Sequence, residues 1–136
     1  MARMLVVDDE PMMLDLLKKA LTHKGHEVTT ADSGRKAIQL FRQDRPDVTI
    51  LDLNLPDING IEVLREIRLI DPHTPVIILT GAGTEDLEKQ ARALGVTDFL
   101  QKGFSLHALG AALKRVLKEP GQADPTASRP ENPRAR

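Results

Sequence analysis

Short apolar runs alternate with longer amphipathic stretches along this sequence, and the alternation restricts the fold more than any other feature. The runs are rich in β-branched residues and lie near residues 4–7, 27–30, 48–51, 76–79 and 97–100. After each run, apolar residues recur at the 3.6-residue spacing of amphipathic helices. Five strand–helix units in strict alternation predict a parallel sheet covered by helices on both faces. We therefore expect an α/β, flavodoxin-like (βα)5 fold with strand order 2-1-3-4-5.

Local composition indicates where each element lies and where it ends. The runs at 48–51 and 76–79 are almost wholly apolar, as expected of central strands buried on both faces, whereas the run at 27–30 alternates as an edge strand would. Pro11 suits the first turn of the first helix. The predicted helix N-caps are Ser33, Thr84 and Ser105, and the predicted C-terminal stops are Gly25 and Gly95.

Polar side chains follow four of the predicted strands, directly after each strand ends. They are Asp8 and Asp9 after the first strand, Asp52 after the third, Thr80 after the fourth and Lys102 after the fifth. Because the carboxyl ends of parallel strands open onto one crevice, we expect these side chains to lie close together. Carboxylate oxygens are the ligands that Mg²⁺ prefers, so the group suits a divalent cation and a phosphoryl group.

The expected chemistry follows from this arrangement of charges. Clustered carboxylates repel one another, and a bound cation lets all three remain ionised near neutral pH. Asp52 can then act as a nucleophile and form an aspartyl phosphate, while Lys102 neutralises charge on the phosphoryl oxygens. Each residue alone has a simpler interpretation, such as a turn aspartate or a surface lysine. Their occurrence after four separate strands favours the functional interpretation.

Composition argues against several other classes of function. The chain has 136 residues and no cysteine, which excludes disulfides, thiol catalysis and cysteine-based zinc sites. A net charge of -1, with no Trp and no Tyr, argues against a nucleic-acid surface within these residues. No apolar run approaches the roughly 18–20 residues that a membrane-spanning helix needs. We therefore expect one cytoplasmic domain that binds neither nucleic acid nor membrane.

The motifs resemble those of the receiver domains of bacterial two-component response regulators. The resemblance covers about residues 3–118 and is carried by four segments: LVVDDEP at 5–11, DLNLPDING at 52–60, LTGA at 79–82 and DFLQK at 98–102. It implies a receiver domain at 1–118. Residues 119–136 hold four of the nine prolines and no Val, Ile, Leu, Met or Phe, so they cannot bury enough apolar surface to offset their ordering entropy, and we expect a flexible Pro-rich tail or linker stub there.

The resemblance also implies roles for individual residues. Asp52 would accept a phosphoryl group from a histidine kinase or histidine phosphotransfer protein, and Thr80 and Lys102 would contact the phosphoryl oxygens. Mg²⁺ would be held by Asp8, Asp9, Asp52 and the main-chain carbonyl of Asn54. Phe99 would be the switch aromatic, whose rotation remodels the face formed by helix four, strand five and helix five.

The identity of the output stays open at this level. The receiver could act on a separate partner or on an output domain outside these residues, and the resemblance allows an activation-dependent dimer. The chain would be a phosphoacceptor switch that assists its own phosphorylation and dephosphorylation, rather than an enzyme acting on other substrates.

Two departures from the family pattern bear on these expectations. Gly103 stands where the family usually has a proline joined by a cis peptide, so the Lys102–Gly103 bond is either trans with a remodelled loop or strained, since a cis non-proline bond costs about 2.5–4 kcal/mol. Phe99 replaces the more common tyrosine. The first departure keeps a phosphorylation-independent pseudo-receiver as the alternative.

A haloacid-dehalogenase-like phosphatase is disfavoured because Asn54 stands where its general acid is needed, and an FMN-binding flavodoxin would need flanking aromatic residues.

Overall fold

The computed structural model describes residues 2–81 and 83–117. Its strands are β1 (Arg3–Val7), β2 (Glu27–Ala31), β3 (Val48–Asp52), β4 (Val76–Thr80) and β5 (Asp98–Gln101). Its helices are α1 (Pro11–His23), α2 (Gly34–Asp44), α3 (Gly60–Ile70), α4 (Glu85–Ala93) and α5 (Leu106–Leu117). The predicted tail at 119–136, and the last residue of the predicted domain, lie outside the described residues.

All neighbouring strands pair in parallel, in the order β2-β1-β3-β4-β5. This confirms the predicted flavodoxin-like α/β fold, and β2 is the predicted edge strand. Every residue of β3 and β4 is buried, as expected of central strands that are rich in apolar residues. The fifth strand begins at Asp98, one residue later than the sequence indicates.

The core has two apolar layers, one on each face of the sheet. Leu5 and Val7 of β1 pack with α2 and α3 on one face, while Met4 and Val6 pack with α1 and α5 on the other. This division follows from the two-residue period of a strand, which sends successive side chains to opposite faces. The sheet is therefore covered on both sides.

Most of the predicted helix boundaries are confirmed. Ser33 Oγ accepts the Lys36 N–H at 3.2 Å, Ser105 Oγ accepts the Ala108 N–H at 3.0 Å, and α1 begins at Pro11. The first and fourth helices end just before Gly25 and Gly95.

The prediction for Thr84 is wrong in its chemistry. Thr84 occupies the N-cap position of α4, but its side chain makes no capping hydrogen bond. Its hydroxyl lies 2.7 Å from the Gly81 carbonyl oxygen and 3.0 Å from Glu88 Oε2, and it accepts the Gly81 N–H at 3.2 Å. These contacts occupy the hydroxyl, so it closes the β4–α4 loop instead of capping the helix.

The peptide bond after Lys102 is trans, because the described residues contain no cis peptide. Gly103 has φ +92°, a conformation that glycine adopts readily and other residues rarely do. The Lys102–Gly103 bond is thus trans, and the loop that follows it uses a backbone conformation that favours glycine. None of the helices in the described ranges is long and apolar enough to cross a membrane.

Candidate phosphoacceptor and metal site

Three carboxylates meet at the carboxyl ends of β1 and β3, which are adjacent inner strands of the sheet. Asp8 directly follows β1, and Asp52 is the last residue of the adjacent strand β3. The side chains of Asp8 and Asp52 are buried, and that of Asp9 is exposed. One oxygen from each lies within 4.8 Å of the other two. The structure therefore brings together the three carboxylates that the sequence placed after two different strands.

Lys102 reaches the same point from the end of β5. Its Nζ lies 3.2 Å from Asp8 Oδ2 and 3.1 Å from Asp52 Oδ2. It also lies 2.9 Å from Glu10 Oε1. The ammonium group thus bridges three carboxylates from two separate segments of the chain.

Burial and the charge of Asp52 raise the pKa of Asp8, whereas the Glu10 N–H and Lys102 lower it. Burial raises the pKa of Asp8 to about 6; the Glu10 N–H at 2.9 Å lowers it, the charge of Asp52 raises it, and Lys102 lowers it. Desolvation outweighs the favourable contacts, because the side chain has no exposure to water. Asp8 therefore holds a proton at mildly acidic pH, where an exposed aspartate would be ionised.

At Lys102 the neighbouring carboxylates outweigh the effect of burial on the pKa, whereas burial dominates at Asp8. Burial lowers the pKa of Lys102, but Glu10, Asp52 and Asp8 raise it more, so the net pKa lies above the ordinary value for lysine. The ammonium group is therefore charged throughout the neutral range. It can neutralise either the carboxylates or an anion bound beside them.

The donor set fits a hard divalent cation. Asp8 Oδ2 is buried and receives no hydrogen bond from the described residues, although Lys102 Nζ is an ion-pair distance away. A buried carboxylate oxygen without a hydrogen bond, next to two further carboxylates, matches the oxygen ligands of Mg²⁺. Asn54 N–H binds Asp52 Oδ1 at 3.3 Å, which places Asn54 next to the group. Coordination by the Asn54 carbonyl stays a prediction.

Thr80 lies on the neighbouring strand at the same edge. It is the last residue of β4 and is largely buried, with 7% exposure. Its carbonyl oxygen accepts the Lys102 N–H at 2.7 Å, which ties the lysine backbone to the end of β4. A Cβ at Gly81 would lie 3.9 Å from Lys102 Cδ, so the small residue leaves free space beside the lysine stem.

The loop after Asp52 is fixed by close backbone contact. Gly60 N–H binds the Leu53 carbonyl oxygen at 2.8 Å, and a Cβ at Gly60 would come within 2.5 Å of the Asp52 carbonyl oxygen. Only glycine permits this approach. Gly60, the last residue of the DLNLPDING segment, thus lets the loop return onto the strand that carries Asp52.

Two residues with defined contacts were missed by sequence reasoning. Glu10 had no assigned role, yet it contacts Lys102. Asp57 accepts the N–H groups of Gly34 at 2.8 Å and Arg35 at 3.0 Å, at the first turn of α2. Partial burial raises the pKa of Asp57, but these N–H groups outweigh it and hold the pKa at about 2. Both residues lie within the recognised motifs, but no periodicity in the sequence indicates their partners.

Phe99 lies on β5, at the edge of the sheet away from β1. Its ring is half-buried and packs against the apolar layer that includes α3 and Ala91 of α4. The Arg92 guanidinium carbon lies 4.3 Å from the ring centroid. Asp98 Oδ1 accepts the Phe99 N–H at 2.8 Å, and Asp98 Oδ2 accepts a 2.6 Å hydrogen bond from Arg115 Nε.

Comparison with known proteins agrees with this fold. The family model described as "Response regulator receiver domain" matches residues 4–114. A transcriptional regulatory protein TrcR from Mycobacterium tuberculosis is 40% identical over 116 residues, which cover 85% of this chain and 45% of that protein. The chemotaxis protein CheY from Thermotoga maritima is 34% identical over 117 residues, which cover 85% of this chain and 98% of that protein.

Solved structures give the same result. A response regulator receiver domain protein from Clostridium thermocellum matches with a TM-score of 0.82 and 36% identity, covering 87% of this chain and 95% of that one. The chemotaxis protein CheY4 from Vibrio cholerae matches with a TM-score of 0.80 and 34% identity, covering 86% of this chain and 99% of that one.

The chain belongs to the response regulator receiver domain family, whose members are signalling switches of bacterial two-component systems. It spans about half the length of the first two curated relatives it matches, which are both described as transcriptional regulatory proteins. It spans nearly the whole length of the Thermotoga maritima chemotaxis protein.

Proposed function

We propose that the protein accepts a phosphoryl group on Asp52 and uses it to switch a protein-interaction face formed by α4, β5 and α5. The observation that carries the proposal is the contact of Lys102 Nζ with both Asp8 Oδ2 and Asp52 Oδ2, at 3.2 and 3.1 Å. This contact places a fixed positive charge next to the proposed nucleophile. A phosphoryl group on Asp52 would bring new oxygens within reach of the same ammonium group.

The proposed donor is a histidine kinase or a histidine phosphotransfer protein. An oxygen of the Asp52 carboxylate attacks phosphorus, the phosphorus–nitrogen bond of phosphohistidine breaks, and the imidazole nitrogen leaves with the electron pair. Mg²⁺, held by Asp8, Asp9, Asp52 and the Asn54 carbonyl, would supply charge neutralisation for the phosphoryl oxygens. Thr80 would donate its hydroxyl hydrogen to one phosphoryl oxygen. Phe99 would then turn inward as Thr80 moves.

The alternative is a pseudo-receiver that binds partners without phosphorylation. Gly103 raised this alternative at the sequence level, because the lysine before it could be misplaced. The trans bond at Lys102–Gly103 leaves Lys102 in contact with Asp52, which supports the phosphoacceptor.

The proposal also covers the bounds of the receiver domain and the protein or domain that it controls. Residues 1–118 would form the receiver domain, and the remaining residues would be a tail or the start of a linker. The receiver domain would control either a separate protein or an output domain outside these residues. Dimerisation on activation and a cytoplasmic location are consistent with this proposal.

The deciding experiment is intact-protein mass spectrometry after incubation with acetyl phosphate, with and without Mg²⁺. We expect one Mg²⁺-dependent, base-labile phosphoryl adduct that is absent from Asp52→Asn. Asp15→Asn is the matched control, because Asp15 is an exposed aspartate of α1 paired with Lys19. A small-molecule donor tests the site without requiring the cognate kinase.

Each outcome has a defined meaning. An adduct that persists in Asp52→Asn would overturn the assignment of the phosphoacceptor. If no adduct forms with acetyl phosphate or with a phosphohistidine protein, even in rapidly quenched samples, the pseudo-receiver replaces this proposal. Loss of the adduct in Asp15→Asn would show that carboxylate substitution damages the protein generally.

A further inference from the structure

We infer that Arg92 is a positioning residue that holds the Phe99 ring at the surface and thereby sets the balance between the resting and switched forms. The inference rests on the proposed function, because it takes Phe99 as the side chain that moves. It adds a residue on α4 that opposes the movement in this chain.

The contact between the two side chains has the geometry of a cation–π interaction. The guanidinium carbon lies 4.3 Å from the centroid of the Phe99 ring, within the range of about 6 Å in which such contacts are attractive. No ion pair of Arg92 is found among residues 2–81 and 83–117. The ring is therefore the contact that the structure identifies for this charge.

The contact is available in only one position of the ring. Arg92 is exposed, Phe99 is half-buried, and the guanidinium carbon lies over the Phe99 ring. If the ring turned inward, Arg92 could keep the contact only by burying its charge in an apolar layer, which is strongly unfavourable. An interaction that exists in one state shifts a two-state equilibrium towards that state by its own free energy.

The backbone beneath the ring is anchored independently of Arg92. Asp98 Oδ1 binds the Phe99 N–H at 2.8 Å, and Arg115 Nε from α5 binds Asp98 Oδ2 at 2.6 Å. These bonds hold β5 against α5 while the Phe99 side chain contacts α4. Arg92 therefore acts on the orientation of the ring and not on the position of the strand.

The absence of a hydroxyl on Phe99 makes this contact more important. A tyrosine at this position could also be biased by hydrogen bonds, but a phenylalanine ring offers only its faces and edges. For a solvent-exposed cation–π contact, we expect loss of the Arg92 charge to shift the equilibrium about two- to fivefold.

The affinity for a phosphoryl analogue measures this shift. Beryllium fluoride with Mg²⁺ would be titrated by calorimetry into the wild type, Arg92→Met and Arg92→Lys. Met keeps the length and apolar contact without the charge, and Lys keeps the charge without the planar group. Arg65→Met is the matched control, because Arg65 is a partly exposed arginine of α3 that pairs with Glu62.

Fluorine NMR reports the ring itself. The sequence contains three phenylalanines and no Trp or Tyr, so labelling with para-fluorophenylalanine gives three signals. These are assigned by Phe99→Leu and Phe104→Leu, while Phe41 is fully buried. The Phe99 signal of Arg92→Met without ligand should lie closer to that of the analogue-bound wild type.

We expect Arg92→Met to bind the analogue about two- to fivefold more tightly, Arg92→Lys to fall between it and the wild type, and Arg65→Met to match the wild type. In a Phe99→Leu background, Arg92→Met should have no effect. Unchanged or weaker binding by Arg92→Met, or an effect that persists without Phe99, would overturn the inference.

The proposed function can fail separately. If the wild type neither binds the analogue nor forms the phosphoryl adduct, phosphoryl acceptance on Asp52 is disproved. In that case the Phe99 signals of the free proteins are compared with one another: a signal that moves in Arg92→Met and not in Arg65→Met supports orientation of the ring by Arg92, and an unmoved signal overturns it.

Discussion

At the scale of single residues, the positive charge of Lys102 partly compensates the negative charge of the buried Asp8 carboxylate and its neighbours. Asp8 is fully buried, and its pKa is raised to about 6, whereas Lys102 keeps its charge through contacts with Asp8, Asp52 and Glu10. The site therefore carries negative charge that is incompletely compensated above pH 6. A cation or the removal of one carboxylate relieves this repulsion.

The first prediction concerns the stability of the metal-free protein as a function of pH. The pKa of Asp8 is raised from 3.8 to about 6 on folding, so the native state binds this proton more tightly than the unfolded state. Its contribution to stability is complete below the unfolded pKa and is lost as the pH rises through 6. We expect Asp8→Asn to be more stable than the wild type at about pH 8, with a smaller difference at about pH 5.

Urea unfolding in the presence of a chelator at several pH values measures this difference. Asp15→Asn serves as the control, because Asp15 is an exposed aspartate of α1, and its difference from the wild type should not change over the same range. A difference for Asp8→Asn that grows towards acidic pH would contradict the raised pKa.

At the scale of the element, β3 contains an unpartnered polar group. Thr49 is fully buried in this central strand, and its hydroxyl has no hydrogen-bond partner among the described residues. Thr49→Val removes the hydroxyl while keeping the β-branched shape. We expect the free energy of unfolding to increase by about 1 kcal/mol, because an unpaired buried hydroxyl costs about 1–3 kcal/mol.

Thr29→Val on the edge strand β2 is the matched control, since Thr29 is only partly buried and should change stability little. Both variants can be compared by chemical unfolding at one pH. A loss of stability in Thr49→Val would mean that the hydroxyl has a partner that this arrangement does not contain.

The loop from β5 to α5 depends on one glycine conformation. Gly103 has φ +92°, and a Cβ there would meet no atom within 4 Å, so the cost of a side chain is conformational and not steric. We expect Gly103→Ala to lower the free energy of unfolding by about 1–2 kcal/mol. Gly110 lies inside α5 with ordinary space for a Cβ, and Gly110→Ala should instead stabilise the protein by about 0.5–1 kcal/mol.

Thermal unfolding of the two alanine variants provides the measurement. Opposite signs are expected for the same chemical change. Equal effects would indicate that Gly103 does not need the left-handed conformation.

At the scale of the whole molecule, one arginine connects segments distant in the sequence. Arg68 on α3 donates hydrogen bonds to the carbonyl oxygens of Leu94, Gly95 and Thr74 at 3.0, 2.8 and 2.8 Å, and to that of Asp71 at 3.3 Å. The Leu94 and Gly95 groups lie at the end of α4, and the other two lie between α3 and β4. Burial lowers the pKa of Arg68, which the charge of Asp71 opposes.

We expect Arg68→Met to lower the free energy of unfolding by about 2 kcal/mol, because it leaves partly buried carbonyl groups without a charged donor. Arg65→Met, three residues earlier on the same helix, removes only an exposed pair with Glu62 and should cost less than about 1 kcal/mol. Hydrogen exchange should show faster opening of the segment from 94 to 97 in Arg68→Met alone. Equal stability of the two variants would contradict this role.

The sequence predicts the strand order, the burial of β3 and β4, and most helix boundaries, because each depends on local periodicity or on one residue type. It also predicts that Asp8, Asp52 and Lys102 meet, since parallel strands share one edge. It does not predict the partners of Arg68 or Asp57, which depend on how separate loops pack together. Thr84 is the N-cap residue as predicted, but its side chain makes no capping hydrogen bond, because its hydroxyl contacts the carbonyl of Gly81 in a non-repeating loop.

Because Lys102 contacts the carboxylates, we expect the chain to fold without a bound metal ion. Many small metal-binding domains are unfolded until an ion compensates their ligands. Here an internal ammonium group already lies 3.1 Å from Asp52 and 3.2 Å from Asp8, so the acidic cluster has a counter-ion supplied by the chain itself. Purification in a chelator should therefore yield folded protein, and the heat of a later magnesium titration would report ion exchange at a formed site rather than the ordering of the chain.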